Sequence, residues 1–291
     1  MSNRSVDPRD FPDPFVLSTE VGFYAYATNG GGSNIQVMTS PDLLTWDGAP
    51  DALPVLAGWA QAGNTWAPGV LTWNGTYVMF YACREPTAGR QAISVATSDQ
   101  PGGPFTDTST QPLVYQLDLG GSIDPSPFVD DDGTAYLVWK ADSNAINQPS
   151  TIWLQAIGPD GTTLTGTPIE LLRYDAPWEN PLIEAPSIVE AGSTYFLFYS
   201  ANWWNTDRYS IGYAIATAVG GPYIKTTTSK AWFASDAEVA GPGGQEWFTD
   251  NTGQLRMAYH GWTPGSVGYP GGARSLRIAT VDLTGPAPVT S

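Results

Sequence analysis

The chain has one cysteine and one histidine among its 291 residues. A lone Cys83 excludes an internal disulfide, and its place at the end of the apolar, aromatic run 78–82 is that of a buried structural thiol rather than a nucleophile. A lone His260 makes neither a histidine-based triad nor a multi-histidine zinc site available. Basic residues are also scarce, with 12 Lys and Arg against 28 Asp and Glu for a net charge of −16. Such a field repels phosphate backbones, which excludes nucleic acid as a partner and leaves neutral polymers open. The acids are dispersed, without a run of five like charges, as on a solvated surface. No run of 18 apolar residues is present to cross a membrane as a helix, and the polar stretch 1–10 does not read as a secretory leader. Long helical periodicity is missing too; stretches such as 91–98 alternate with period two instead.

What the chain has in quantity is turn formers and large flat side chains: 32 Gly, 25 Pro, 12 Trp, 14 Tyr and 10 Phe. That composition favours many short strands joined by turns. An internal repeat organises them. Its five units open at Asp13-Pro14, Ala67-Pro68, Asp124-Pro125, Ala185-Pro186 and Gly241-Pro242, spaced 54, 57, 61 and 56 residues apart by subtraction. Each opening leads into an apolar strand, a turn at Gly22, Gly75, Gly133, Gly192 or Gly253, and a second strand heavy in aromatics. Third strands follow at 35–39, 92–97, 152–156, 211–216 and 276–280, and four units add a short fourth segment, such as Leu44-Thr45-Trp46 or Gly103-Pro104-Phe105. The second strands are apolar almost throughout, so both faces are buried, as in sheets stacked side by side. The predicted fold is all-β, a five-bladed β-propeller of four-stranded antiparallel blades, with residues 1–291 forming one domain.

The first strand of a propeller blade is the innermost, so equivalent openings meet around one axis whatever their separation in sequence. Three openings carry a carboxylate at or beside that position: Asp13, Asp124 and Glu184. Taken singly, an Asp-Pro starts a turn and a Glu before Ala-Pro ends a strand. Taken together, three carboxylates in one channel repel one another and raise at least one pKa, an arrangement that marks a site. Hydrolysis of a glycosidic bond uses such a set: a protonated carboxyl for the leaving oxygen and an ionised one to activate water. The assignment is Asp13 as base, Glu184 as acid and Asp124 as the group that tunes the acid's proton affinity.

The segments Phe11-Pro12-Asp13-Pro14-Phe15, Thr65-Trp66-Ala67-Pro68, Ser122 to Val129 with Asp131-Asp132-Gly133, Glu184-Ala185-Pro186, Gly241 to Gln245, Tyr259-His260 and Arg274 together resemble glycoside hydrolase family 43 over nearly the whole chain. The resemblance implies a five-bladed propeller, inversion at the anomeric carbon and the three acidic roles above. In blade five many relatives read Gly-Pro-Gly-His-Asn, where this chain has Gly244 and Gln245 at the last two places. For His260 a satisfied core side chain stands beside the role the resemblance implies, a ligand to a largely hydrated Ca2+ at the axis. Arg274 is expected to fork onto sugar hydroxyls while supporting Glu184. The sugar-contact set is Trp66, Arg274, Ile123, Phe15, Trp203 and Gln245, with Trp204, Trp178 and Trp262 as further aromatic candidates.

The overall pattern, including Ser200 to Trp204, looks closest to the arabinofuranosidase and exo-arabinanase members. The implied activity is an exo-acting α-L-arabinofuranosidase on arabinan or arabino-oligosaccharides, from an extracellular, monomeric enzyme. The competing readings are a β-xylosidase, a propeller acting on fructosides through an aspartate nucleophile with retention, and a non-catalytic carbohydrate-binding propeller.

Overall fold

A computed structural model describes residues 5–291, so the first four residues of the polar N-terminal stretch lie outside the described part. Blade one is β1 (Phe15–Thr19), β2 (Gly22–Ala27), β3 (Gln36–Ser40) and β4 (Asp47–Ala49). Blade two is β5 (Gln61–Trp73), β6 (Thr76–Glu85) and β7 (Arg90–Ser98), and blade three is β8 (Ser122–Val129), β9 (Ala135–Ala141), β10 (Thr151–Ile157) and β11 (Leu164–Arg173). Blade four is β12 (Ile183–Ala191), β13 (Thr194–Ala201), β14 (Ser210–Ala216) and β15 (Ile224–Lys225); blade five is β16 (Ala240–Thr249), β17 (Leu255–Trp262), β18 (Ser275–Asp282) and β19 (Val289–Thr290). All are antiparallel meanders in chain order. The glycines expected at the first turns, Gly22, Gly75, Gly133, Gly192 and Gly253, all have positive φ, a conformation that a Cβ would strain.

Blade two departs from the expected four strands. Its outer edge makes only isolated bridges, Ile93 to Val114 and Thr97 to Thr106. The intervening segment carries Pro101, Pro104 and Pro112, which have no N–H to continue a ladder. Asp107 fills part of the gap by accepting hydrogen bonds from Ser94 Oγ and from Tyr81 Oη at 2.7 Å. In blade one the fourth strand, β4, follows Leu44-Thr45-Trp46 rather than containing it.

The core is divided among the five gaps between blades, one apolar cluster for each. Second strands feed two clusters at once by strand alternation. On β6, Met79, Tyr81 and Cys83 face blade one while Val78 and Phe80 face blade three. Each large side chain so buried contributes about 1.5–3 kcal/mol, which is why these strands read as continuous apolar runs. Cys83 is fully buried, and burial pushes its thiol up, out of the reactive range. The ring closes where Ser5 bridges Arg277 on β18 and the Val6 N–H donates to Leu276 at 3.0 Å. First strands pack in succession, β1 on β5, β5 on β8, β8 on β12, β12 on β16 and β16 on β1, so they line the axis.

Candidate active site at the propeller axis

Every first strand enters the ring through the same backbone irregularity. In blades two to five the ladder skips two residues, between Trp66 and Gly69, Ile123 and Ser126, Glu184 and Ser187, and Gly243 and Glu246. The first skipped residue is left-handed in each case: Ala67 at φ 44°, Asp124 at 54°, Ala185 at 47° and Gly244 at 61°, with Asp13 at 55° completing the ring in blade one. For a residue with a Cβ this conformation costs on the order of 1–3 kcal/mol, and such strain collects where a side chain or amide must be aimed. In blade five the equivalent of the other openings is therefore Gly244-Gln245, three residues beyond the expected Gly241-Pro242. A Cβ on Gly244 would lie 2.6 Å from His260 Nδ1 and 3.2 Å from Asp13 Oδ1, so only glycine fits there.

At four of the five bulges the amide proton turns toward the neighbouring blade, where a side chain accepts it. Ala67 N–H donates to Thr28 Oγ1 at 3.0 Å, Ala185 N–H to Asp124 Oδ2 at 2.8 Å, Gly244 N–H to Ser200 Oγ at 2.9 Å and Asp13 N–H to His260 Nδ1 at 3.0 Å. This ring of acceptors joins the blades and fixes the three acids, which all border one cavity of about 340 Å³.

The acids differ in their surroundings. Asp13 is 23% exposed, and burial alone would raise it. The Arg274 guanidinium, 3.5 Å from Oδ1, and the Thr28 hydroxyl, 2.6 Å from Oδ2, nevertheless hold its carboxyl below the usual range. Asp124 is pushed up to about 8 by burial and then by Glu184 beside it, against the opposing pull of Lys140. Glu184 is held at both oxygens, accepting from Lys140 Nζ at 3.0 Å and from Tyr209 Oη at 2.8 Å. One carboxylate is thus kept ionised, while a neighbouring pair retains a proton into the neutral range. Asp124 is the member of that pair whose proton affinity burial and its neighbour raise.

Several expected contacts are placed differently. Trp66, Ile123, Trp203, Trp204, Gln245 and Arg274 border the cavity. Phe15 does not: it is buried in the apolar cluster between blades one and two. Trp178 stacks on Tyr199 in blade four, and Trp262 is buried beneath Trp204. Gln245 has its amide engaged, accepting from Ser200 Oγ at 2.8 Å and donating to the Ala185 carbonyl at 2.7 Å, so it braces blade four against blade five. Arg274 supports Asp13 rather than Glu184, its guanidinium 4.3 Å from the centre of the Trp204 ring.

His260 is fully buried, with Nδ1 engaged by the Asp13 amide and Nε2 without a hydrogen-bond partner among the described residues. With Nδ1 accepting the Asp13 amide, the neutral ring carries its proton on Nε2. Burial, followed by Arg274, lowers its pKa to about 3, so the ring is a neutral acceptor in a surrounding that disfavours further positive charge. Among the described residues no group of three or more His, Cys, Asp or Glu is arranged to hold an ion.

Sequence reading missed Thr28, Tyr209, Lys140 and Glu246. Glu246, the residue after the blade-five bulge, accepts from Ser126 Oγ at 3.0 Å and so links blades three and five. Burial drives its acid range well up despite that hydrogen bond. Misplacing the blade-five opening hid it. Lys140 did carry a signal, since a lysine inside the apolar strand Tyr136 to Ala141 requires buried anions.

The family model described as Glycosyl hydrolases family 43 matches residues 3–285. A beta-D-galactofuranosidase of Aspergillus niger is 24% identical over 270 residues, covering 88% of this chain and 75% of that one. An arabinoxylan arabinofuranohydrolase of Bacillus subtilis is 28% identical over 269 residues, covering 76% of this chain; the alignment spans 50% of that enzyme's length. Among solved structures, a thermostable family-43 glycoside hydrolase superposes with a TM-score of 0.87 at 28% identity, covering 99% of this chain and 96% of the other.

Proposed function

Because the chain belongs to glycosyl hydrolase family 43, we propose that it is an inverting, exo-acting α-L-arabinofuranosidase releasing arabinose from α-1,5-arabinan or arabino-oligosaccharides. The observation that carries this reading is the contrast between the carboxyls around the cavity: Asp13 held below the usual range beside Arg274, and Asp124 pushed up beside Glu184 on the neighbouring blades. Asp13 takes a proton from water as its oxygen attacks the anomeric carbon. Glu184 donates to the glycosidic oxygen as that bond breaks. Asp124, whose Oδ2 is anchored by the Ala185 amide, supplies the negative field that returns the pair's proton to Glu184 when substrate displaces water.

A cavity of about 340 Å³ lies at the small end of ligand sites, which suits one terminal sugar and its neighbour better than an open polymer groove. Trp66 supplies an apolar wall for the sugar's CH face, and Trp203, 47% exposed at the mouth, a platform for the leaving residue. Arabinan is too large to enter a cell, so the proposed site of action is extracellular.

The furanose preference has a specific rival in β-D-galactofuranose, whose ring carries the same configuration as α-L-arabinofuranose and whose hydrolase is among the relatives. β-Xylosides are the second rival, since a shorter-matching relative is a xylosidase/arabinosidase of Humicola insolens. Arabinotriose, xylotriose and an aryl β-D-galactofuranoside should be compared by kcat/KM. The arabinan reading predicts that arabinotriose leads by about tenfold or more, as expected for a few contacts of 1–3 kcal/mol, with arabinose and arabinobiose as first products. A lead by either of the other two would replace it.

A further inference from the structure

Lys140 has no part in the chemistry described so far, yet it is the most deeply buried charge at the site. Its side chain on β9 is 1% exposed, with Nζ 3.0 Å from Glu184 Oε2 and 3.0 Å from Asp142 Oδ1. Lys140 pairs in register with Ile123, directly before the Asp124 bulge, as Ser200 pairs with Glu184 and His260 with Gly243. At those other two positions the side chain accepts the next blade's bulge amide. In blade three Asp124 takes the Ala185 amide instead, which frees the second-strand position for a cation that reaches Glu184.

An ammonium so deeply buried persists only if its charge is matched by anions. Here it is divided between two: Glu184, 12% exposed and facing the cavity, and Asp142, 16% exposed and outside the cleavage chemistry. We propose that Lys140 is the positioning residue of the acid: its ammonium, shared between Glu184 and Asp142, aims the Glu184 carboxyl and sets the pH at which the site loses its donor proton. Asp142 acts through it. The more of the ammonium's field Asp142 draws off, the less ionised Glu184 is favoured, and the longer the proton stays available as pH rises.

The remaining groups around Glu184 are the Tyr209 hydroxyl, Asp124 on the adjacent strand, Asp13 with its Arg274 across the cavity, and Glu246 behind Asp124. Only Lys140 is a cation in contact with Glu184 among the described residues. Asp124 is raised by burial and then by Glu184 beside it, while Lys140 acts on it directly in the opposite sense.

The inference rests on the proposed acid role of Glu184 and is tested by the basic limb of the pH profile of kcat/KM, where activity falls as the donor proton is lost. Lys140→Met removes the cation that favours ionised Glu184, so its basic limb should move up by about one pH unit or more, while Lys140→Arg should restore the wild-type limb. Asp142→Asn removes an anion and leaves the ammonium undivided on Glu184, so its basic limb should move down. A merely structural role moves neither limb, or both in the same direction, and either result overturns the proposal. If Lys140→Met does not fold, Asp142→Asn decides alone: a lower limb supports the proposal and an unmoved one overturns it.

Failure of the underlying reading looks different. There, Glu184→Gln would reduce cleavage of an activated aryl arabinofuranoside as much as that of an oligosaccharide. A loss confined to the oligosaccharide, with both pH limbs unmoved, would remove the Lys140 role alone.

Discussion

Replacing Glu184 with Gln should lower the turnover of arabinotriose by about 10²–10⁴-fold, the range in which a positioned general acid contributes. The same variant should cleave a dinitrophenyl arabinofuranoside within about tenfold of the parent protein, because that leaving group departs without a proton. Gln is nearly isosteric and keeps a carbonyl for the Tyr209 hydroxyl or the Lys140 ammonium, so the loss belongs to the missing proton rather than to collapse of the site. Measuring kcat on both substrates checks the expectation. Equal losses on the two would remove Glu184 from the role of acid.

The second large effect is expected at Asp13. Asp13→Asn should lower turnover by about 10²–10⁴-fold on both substrates alike, since water must be activated whatever leaves. The sign of its pH dependence follows from its surroundings. Asp13 works ionised, and the Arg274 guanidinium holds its carboxyl below the usual range, so activity persists into acid and falls only as pH drops below that of an ordinary carboxylate. In the variant this acidic limb should vanish while the basic limb stays. A loss restricted to the oligosaccharide, or an unchanged acidic limb, would contradict the assignment.

The blades were legible in the sequence because each must bury two faces, which forces apolar second strands, and because each first turn needs a glycine at positive φ. The three acids were legible for a related reason: proline follows the left-handed residue in blades one to four and marks the same point of the bulge each time. Blade five lacks that proline. Gly244 and Gln245 stand there instead, and the Gly-Pro three residues earlier drew the register away and hid Glu246. Short outer strands were read less well, since they pair on one side only and blade two replaces its own with a proline-interrupted segment and Asp107.

Residues that act through one another were not legible. Which acid Arg274 supports, and that His260 accepts the Asp13 amide, depend on contacts between blades far apart in sequence. Phe15 shows the converse: it directly follows the Asp13-Pro14 opening, yet strand alternation turns it into the cluster between blades one and two.

The most direct test of the central claim is a proton NMR time course of α-1,5-arabinotriose hydrolysis, read before mutarotation mixes the anomers. With Asp13 activating water on one face of the sugar and Glu184 protonating the leaving oxygen on the other, the first arabinose signal should be the β anomer, accompanied by arabinobiose. Initial release of the α anomer would mean that a carboxylate attacks the sugar itself, and would contradict the account.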